Sequence, residues 1–262
     1  MTRFLTTAAL ATLLVSPALA QEPAGDWIVT LRGNAKVQPS YPGAKSYGVM
    51  GFPSLSFRRA TTPQRFTAPD DNISFALYDG GWLKAGPSAR FMGARRAKDH
   101  RELTGIHDVN WTLELGGFVE LWPMEKIRGR LDLRQAVNGH NGFVADLGLD
   151  YVETAGAWTF SIGPRVSYGD QRFMRSWFGV TPAEALANGR VTPFNASSGV
   201  SSVGGTVGAT YTFNPQWQLT AYARYDHLTG SAARSPVVRI LGSESQATFG
   251  LKLAYSFGVK GF

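Results

Sequence analysis

The chain has 262 residues, no cysteine and a formal net charge of +7. The missing cysteines exclude a disulfide framework, a thiolate metal site, a thiol nucleophile and a lipidated N-terminal anchor. A mean hydropathy of −0.12 excludes a bundle of membrane-spanning helices. The basic residues are scattered rather than gathered into the patch that nucleic-acid binding requires.

Residues 1–20 read as a secretory signal. Arg3 supplies the charged start and residues 4–15 a short apolar run. Ala18-Leu19-Ala20 then forms an A-x-A site, with cleavage between Ala20 and Gln21. The run is too short to anchor the chain, since a spanning helix needs about 20 apolar residues. No later stretch reaches about 18 of them. An exported chain of this kind is periplasmic or an outer-membrane barrel, and residues 21–262 are expected to form one domain.

The 30 Gly, 7 Trp, 9 Tyr and 16 Phe favour strands and turns. Strands are predicted over residues 27–38, 51–59, 65–67, 73–78, 82–93, 108–121, 126–136, 143–153, 158–168, 200–213, 216–227 and 246–257. Pro42-Gly43, Pro69-Asp70-Asp71-Asn72, Asp79-Gly80-Gly81, Asn138-Gly139 and Asn214-Pro215 mark turns. The last strand shows the period most clearly. Phe249, Leu251, Leu253, Tyr255 and Phe257 share one face, and Thr248, Gly250, Lys252, Ala254 and Ser256 the other. A transmembrane strand needs about 9–11 residues, apolar toward lipid and polar toward the lumen. The expected fold is therefore all-β: a single transmembrane antiparallel barrel of about 12 strands. Ten is the alternative, because residues 65–67 make a weak strand. With twelve, the short turns fall at the end that holds both termini, and the long segments near 95–107, 169–198 and 230–245 fall at the other. Short periplasmic turns and long outer loops are the pattern of such barrels.

Residues 126–136 place Arg128, Arg130, Asp132 and Arg134 opposite Ile127, Leu131 and Leu133. An Arg facing lipid costs about 2–4 kcal/mol at the midplane, so these ions are expected in the lumen. The same alternation nominates Glu114, Glu120, Asp146, Asp150, Arg165, Arg224, Asp226 and Lys252, together with Lys84 and Arg90. Mixed signs allow a salt-bridged plug or a small anion-preferring pore. The narrowness of such a barrel favours the plug. Among the outer segments, residues 94–107 carry Arg95, Arg96, Lys98 and Arg101. They read as a solvated loop, with contact to lipopolysaccharide phosphates as the alternative. Trp177 and Phe178 lie in the segment 169–198, exposed or folded inward, and Pro182 to Leu186 can form one helical turn.

Nothing points to catalysis. His107 beside Asp108 and His227 beside Asp226 cannot form dyads through adjacency, because strand neighbours face opposite ways. All four histidines read as solvated strand-end or loop residues, and no metalloprotease, hydrolase, P-loop or calcium-loop pattern occurs. No cofactor or metal is expected.

Several motifs in order resemble the MipA/OmpV family: Pro39-x-Tyr41-x-Gly43, Lys98-Asp99-x-x-x-Leu103-x-Gly105-Ile106 and Gly116-Gly117-Phe118. Trp177-Phe178-Gly179-Val180, Ser198-Gly199, Ser235-Pro236-Val237-Val238 and Tyr255-x-Phe257 complete the set. Family members commonly end near the Tyr-x-Phe, whereas this chain continues to Phe262. The resemblance implies a barrel in the outer membrane of a Gram-negative bacterium, in contact with lipid and lipopolysaccharide. It implies a scaffold linking a periplasmic murein hydrolase, the lytic transglycosylase, to a peptidoglycan synthase. Other members are viewed as adhesins or immunogenic surface proteins, and the family offers no catalytic residues to carry over. The sequence thus leaves a scaffold, an anion-preferring channel and a surface adhesin acting through the long loops.

Overall fold

The computed structural model describes residues 25–260. The expected signal segment and its Ala20–Gln21 cleavage pair lie outside these. The strands are β1 (Trp27–Pro39), β2 (Tyr47–Arg59), β3 (Ile73–Ser74), β4 (Tyr78–Asp79), β5 (Leu83–Met92) and β6 (Thr112–Met124). They continue with β7 (Ile127–Ala136), β8 (Phe143–Ala155), β9 (Trp158–Gly169), β10 (Gly199–Thr212), β11 (Trp217–Leu228) and β12 (Ser245–Val259). These twelve strands form one antiparallel sheet in which β12 pairs with β1, so the sheet curls into a barrel. Closure is nearly complete: among the described residues no ladder joins β2 to β3 or β4.

The wall is built inside out. On β7, Leu133 is 44% exposed while neighbouring Arg134 is 1% exposed. Leu147 and Leu149 on β8, Ile162 on β9 and Leu251 and Leu253 on β12 likewise present apolar side chains outward. In water this would be an unstable surface, whereas in a bilayer it is the required one. Aromatic pairs ring both rims. Trp158 lies 4.8 Å from Tyr211 and Trp217 4.7 Å from Tyr255 at the short-turn end. Phe91 stacks on Trp111 at the other. Such rings suit the two membrane interfaces. No described helix is long and apolar enough to cross a membrane.

The predicted third strand is corrected. Residues 65–67 are not a strand, and the strand expected over 73–78 is present but broken into β3 and β4. β3 and β4 are two pieces of one pass along β5, bridged by Phe75 N–H to the Pro87 carbonyl (3.1 Å) and Leu77 N–H to the Ala85 carbonyl (3.0 Å). β5 explains the break. Pro87 has no N–H to return to Phe75. At Gly86 an added Cβ would lie 1.9 Å from the Phe75 carbonyl oxygen, so only glycine admits the close approach. β2 and β3–β4 both run toward the short-turn end, so residues 60–72 must climb back between them. They do so inside the barrel.

Candidate functional site: a filled lumen beneath a folded cap

Period-two alternation delivers charged side chains to the interior, and strand register pairs them. Arg128 lies opposite Asp150 across β7–β8, and Arg90 opposite Glu114 across β5–β6. Arg128 binds Asp150 at 2.7 Å and Glu120 at 2.8 Å. Arg130 binds Asp132 at 2.8 Å. Arg134 binds Glu114 at 3.0 Å and also holds Asp146. Arg90 binds Glu114 at 2.7 Å, Arg165 binds Asp150 at 2.7 Å and Arg224 binds Asp226 at 2.6 Å. Lys84 lies 3.4 Å from Asp79. Of the predicted lumen residues, Lys252 alone stands apart, 6.0 Å from the Tyr222 ring centre.

The network has a second storey that alternation could not reveal. The climbing segment 60–72 buries Ala68 and Pro69 and offers two carboxylates to the wall. Asp70 accepts from Arg165 Nε (2.8 Å) and Nη2 (2.9 Å), from Arg224 (3.0 Å) and from Thr206 Oγ1 (2.9 Å). Asp71 accepts from Arg128 at 2.5 Å, and its Oδ2 also caps the Ala68 N–H at 2.9 Å. Phe66 sits under the Arg128 guanidinium, 5.8 Å from it, and edge-on to Trp122. The segment is thereby latched to β7, β9, β10 and β11 at once. Removing one member of a buried, hydrogen-bonded ion pair typically costs about 3–5 kcal/mol, because the other is left uncompensated.

Over the outer mouth the long loops fold on one another. Helix α1 (Gln171–Phe178) is capped by Asp170, which accepts from the Phe173 N–H. Helix α2 (Pro182–Asn188), where the helical turn is expected, carries a full capping box between Thr181 and Glu184. Short helices α3 (Gly230–Arg234) and α4 (Pro236–Arg239) follow β11. Their apolar faces join Tyr41, Leu103, Ile106 and Val109 in a cap core. Trp177 is 0% exposed and Phe178 is buried beside it. Of the two orientations open in the sequence, they take the inward one.

Arg95 corrects the reading of residues 94–107 as a solvated loop. It is 0% exposed and donates to the carbonyls of Trp177 (2.7 Å), Ser176 (3.1 Å) and His107 (3.2 Å). Its guanidinium also lies between the rings of Tyr41 and Trp177. Arg96, Lys98 and Arg101 are exposed. Burial pulls the Arg95 guanidinium down to about 10, against the opposing pull of Tyr41 and of two nearby carboxylates. Burial, then Glu102, pushes the Tyr41 hydroxyl up to about 12. Desolvation raises the Glu184 carboxyl, but hydrogen bonds from Thr181 and His107 outweigh it and hold the group at about 2.

The model of the family described as MltA-interacting protein MipA matches residues 33–257 of this chain. The chain belongs to the MipA family. It is an outer-membrane barrel of a Gram-negative bacterium. No curated protein matches it. Among solved structures it is similar to the COG4313 outer membrane channel from Pseudomonas putida F1, at 12% identity and a TM-score of 0.45, covering 93% of this chain and 100% of that one. It is also similar to the NanC porin, at 10% identity and a TM-score of 0.40, covering 87% and 98%.

The histidines of this MipA-family barrel divide. His140 is not solvated, as all four were expected to be. It is 2% exposed, accepts the Gly142 N–H on Nδ1 (3.0 Å) and so donates from Nε2 to Glu114 (3.0 Å). His107 Nδ1 meets Glu184 at 2.6 Å rather than Asp108, which accepts from the Ala97 N–H. His227 lies 3.7 Å from Glu244, and Asp226 is held by Arg224. Neither adjacent His–Asp pair is a dyad. Sequence reasoning missed Asp70 and Asp71, read as a turn, and the inward residues Arg32, Asn34 and Lys36 of β1. The alternation of Thr30, Arg32, Asn34 and Lys36 with Val29, Leu31, Gly33 and Ala35 carried the signal for the latter.

Proposed function

We propose that this MipA-family protein is a closed, non-enzymatic outer-membrane platform. In this reading it docks an MltA-type lytic transglycosylase at its periplasmic end and couples it to a murein synthase. The observation that carries the closed reading is the latch of Asp70 to Arg165 and Arg224, which keeps residues 60–72 inside the lumen. An open anion pore needs free arginines along its wall. Arg128, Arg130, Arg134 and Arg165 each have a carboxylate partner at 3.0 Å or less. Docking is supported by the family description. It also gains a surface from the climbing segment. Thr61, Pro63, Gln64 and Arg65 are exposed at the short-turn end and add to turns that are too short to dock much alone. The outward apolar band meets lipid, and exposed Arg96, Lys98 and Arg101 are placed to meet lipopolysaccharide phosphates. The inward Trp177 and Phe178 disfavour an adhesin that uses those rings.

Two measurements test the reading. In planar bilayers the refolded protein should be silent while remaining heat-modifiable, and steady conductance steps would sink the closed lumen. Photo-crosslinkers at Thr61, Arg65 and Glu125 should capture an MltA-type transglycosylase, whereas one at Arg96 should not. Equal capture from both ends, or none, would overturn docking.

A further inference from the structure

Three interior cations stand outside the ion-pair network. Arg32 and Lys36 lie four residues apart on the inner face of β1, with Asn34 between them. Asn34 is in register with Lys252 on β12, so the three cations surround one asparagine. Among the described residues none has a carboxylate within salt-bridge distance. Arg32 donates to Ser56 Oγ at 2.6 Å. Lys36 lies 5.8 Å from the Phe52 ring centre, and Lys252 6.0 Å from that of Tyr222. These ring contacts offset little of the desolvation of an ammonium, which prefers an anion with lone pairs. Every other guanidinium named in the lumen holds a carboxylate.

The surroundings of the three cations are also less filled than the rest. Arg128 and Arg134 are sealed, but the side chains of Arg90 and Arg224 are 26% and 24% exposed although both face the interior. Lys36 feels the positive charge of Arg90, Arg224 and Lys252, opposed by Asp70. Water-accessible space therefore remains within the lumen on the side of these arginines. The carboxylates nearest these cations are already engaged: Asp70 by Arg165 and Arg224, Asp71 by Arg128, Asp146 by Arg90 and Arg134, and Asp226 by Arg224.

We propose that Arg32, Lys36 and Lys252 form a binding site for a small, soluble, doubly charged oxyanion held inside the lumen. Asn34 would donate its side-chain amide to the same ligand; at present that amide reaches the Phe52 carbonyl and Ser54 Oγ at 3.1 and 3.3 Å. The site is independent of docking at the periplasmic end, and a conducting barrel could hold it equally well.

Inorganic phosphate at pH 8 is the probe, compared with chloride at matched ionic strength so that general screening cancels. The readouts are the thermal midpoint of the heat-modifiable band and the 31P line width of phosphate over the refolded full-length barrel. Phosphate at about 100 times its Kd should raise the midpoint by about 5 °C and broaden the 31P line. K36M and K252M should each weaken phosphate binding at least about tenfold, the scale of losing one charge-assisted contact. In chloride alone they should match or exceed the wild-type midpoint, because each removes an unpaired interior charge. A merely structural lysine would do the opposite, lowering the midpoint in chloride and leaving the phosphate shift intact. Equal wild-type midpoints in phosphate and chloride without line broadening would overturn the site, even if both variants failed to assemble. Displacement of phosphate by lipopolysaccharide would reassign the site to a lipid headgroup and overturn the soluble-ligand reading.

Discussion

Asp70 and Arg165 meet as two parallel hydrogen bonds of 2.8 and 2.9 Å, with the carboxylate on the climbing segment and the guanidinium on β9. The fork-on-fork geometry fixes direction as well as distance. It holds residues 60–72 against a wall other than the one they leave and enter. Asp70→Asn should therefore destabilise the barrel by about 3–5 kcal/mol, the usual consequence of stranding a buried partner. Urea unfolding of the refolded protein measures this. The same variant should show intermittent conductance if the segment loosens. Wild-type stability together with a silent bilayer would mean that Arg224 and Thr206 do not need Asp70.

Arg134 gathers Glu114, Asp132 and Asp146 around one fully buried guanidinium. Arg134→Glu would place four carboxylates together in low dielectric, so it should lower the melting temperature sharply or prevent assembly. Arg134→Lys keeps the charge but loses the fork, and should fall between. Heat-modifiability on gels ranks the three proteins. An unchanged midpoint for the charge reversal would show that water, rather than arginine, satisfies these acids.

The wall was legible because lipid and lumen make opposite demands on alternate residues. Residues 126–136 and 246–257 announce both faces in one dimension, and the outward Leu131 and inward Arg130 follow from that alone. The climbing segment inside the barrel was illegible for the complementary reason. Asp70 meets Arg165 and Arg224 across 95 and 154 residues, and Pro69-Asp70-Asp71-Asn72 carries the composition of any turn. The split of β3 from β4 depends on the partner strand's Gly86-Pro87, which single-strand periodicity does not consult. In the cap, the apolar spacing of Leu103, Ile106 and Val109 hinted at a packed face. Four basic residues nearby made residues 94–107 look solvated, and nothing local tells Arg95 from Arg96.

Arg95 ties the 94–107 loop to the end of α1 through the carbonyls of Ser176 and Trp177 and through the Trp177 ring. Arg95→Ala should leave those carbonyls without a donor and open a space between Tyr41 and Trp177. The barrel should stay folded, because its ladders are untouched, while the cap loosens. Limited proteolysis should then cut residues 94–111 and 170–198 at least about tenfold faster, which corresponds to roughly 1.4 kcal/mol of local opening. Arg95→Lys, with fewer donors and no planar fork, should rescue only partly. Cleavage at the wild-type rate would assign the cap's cohesion to its apolar core alone.

Glu184 gives the cap a pH dependence of definite sign. Its carboxyl is held at about 2 in the folded cap, below its ordinary 4.5, by hydrogen bonds from Thr181 and His107 that outweigh desolvation. The opened cap takes up the proton first. The stabilisation is therefore complete above about pH 4.5 and drains away as pH falls toward 2. Glu184 links the start of α2 to the His107 N–H (2.9 Å) and ring (2.6 Å), so both sides of that joint should feel the loss. Hydrogen exchange, corrected for the intrinsic pH dependence of exchange, should show protection of residues 171–188 falling over this interval. In Glu184→Gln that step should be absent and protection should already be reduced at pH 7. A step of the same size in the variant would move the titration to another carboxylate of the cap.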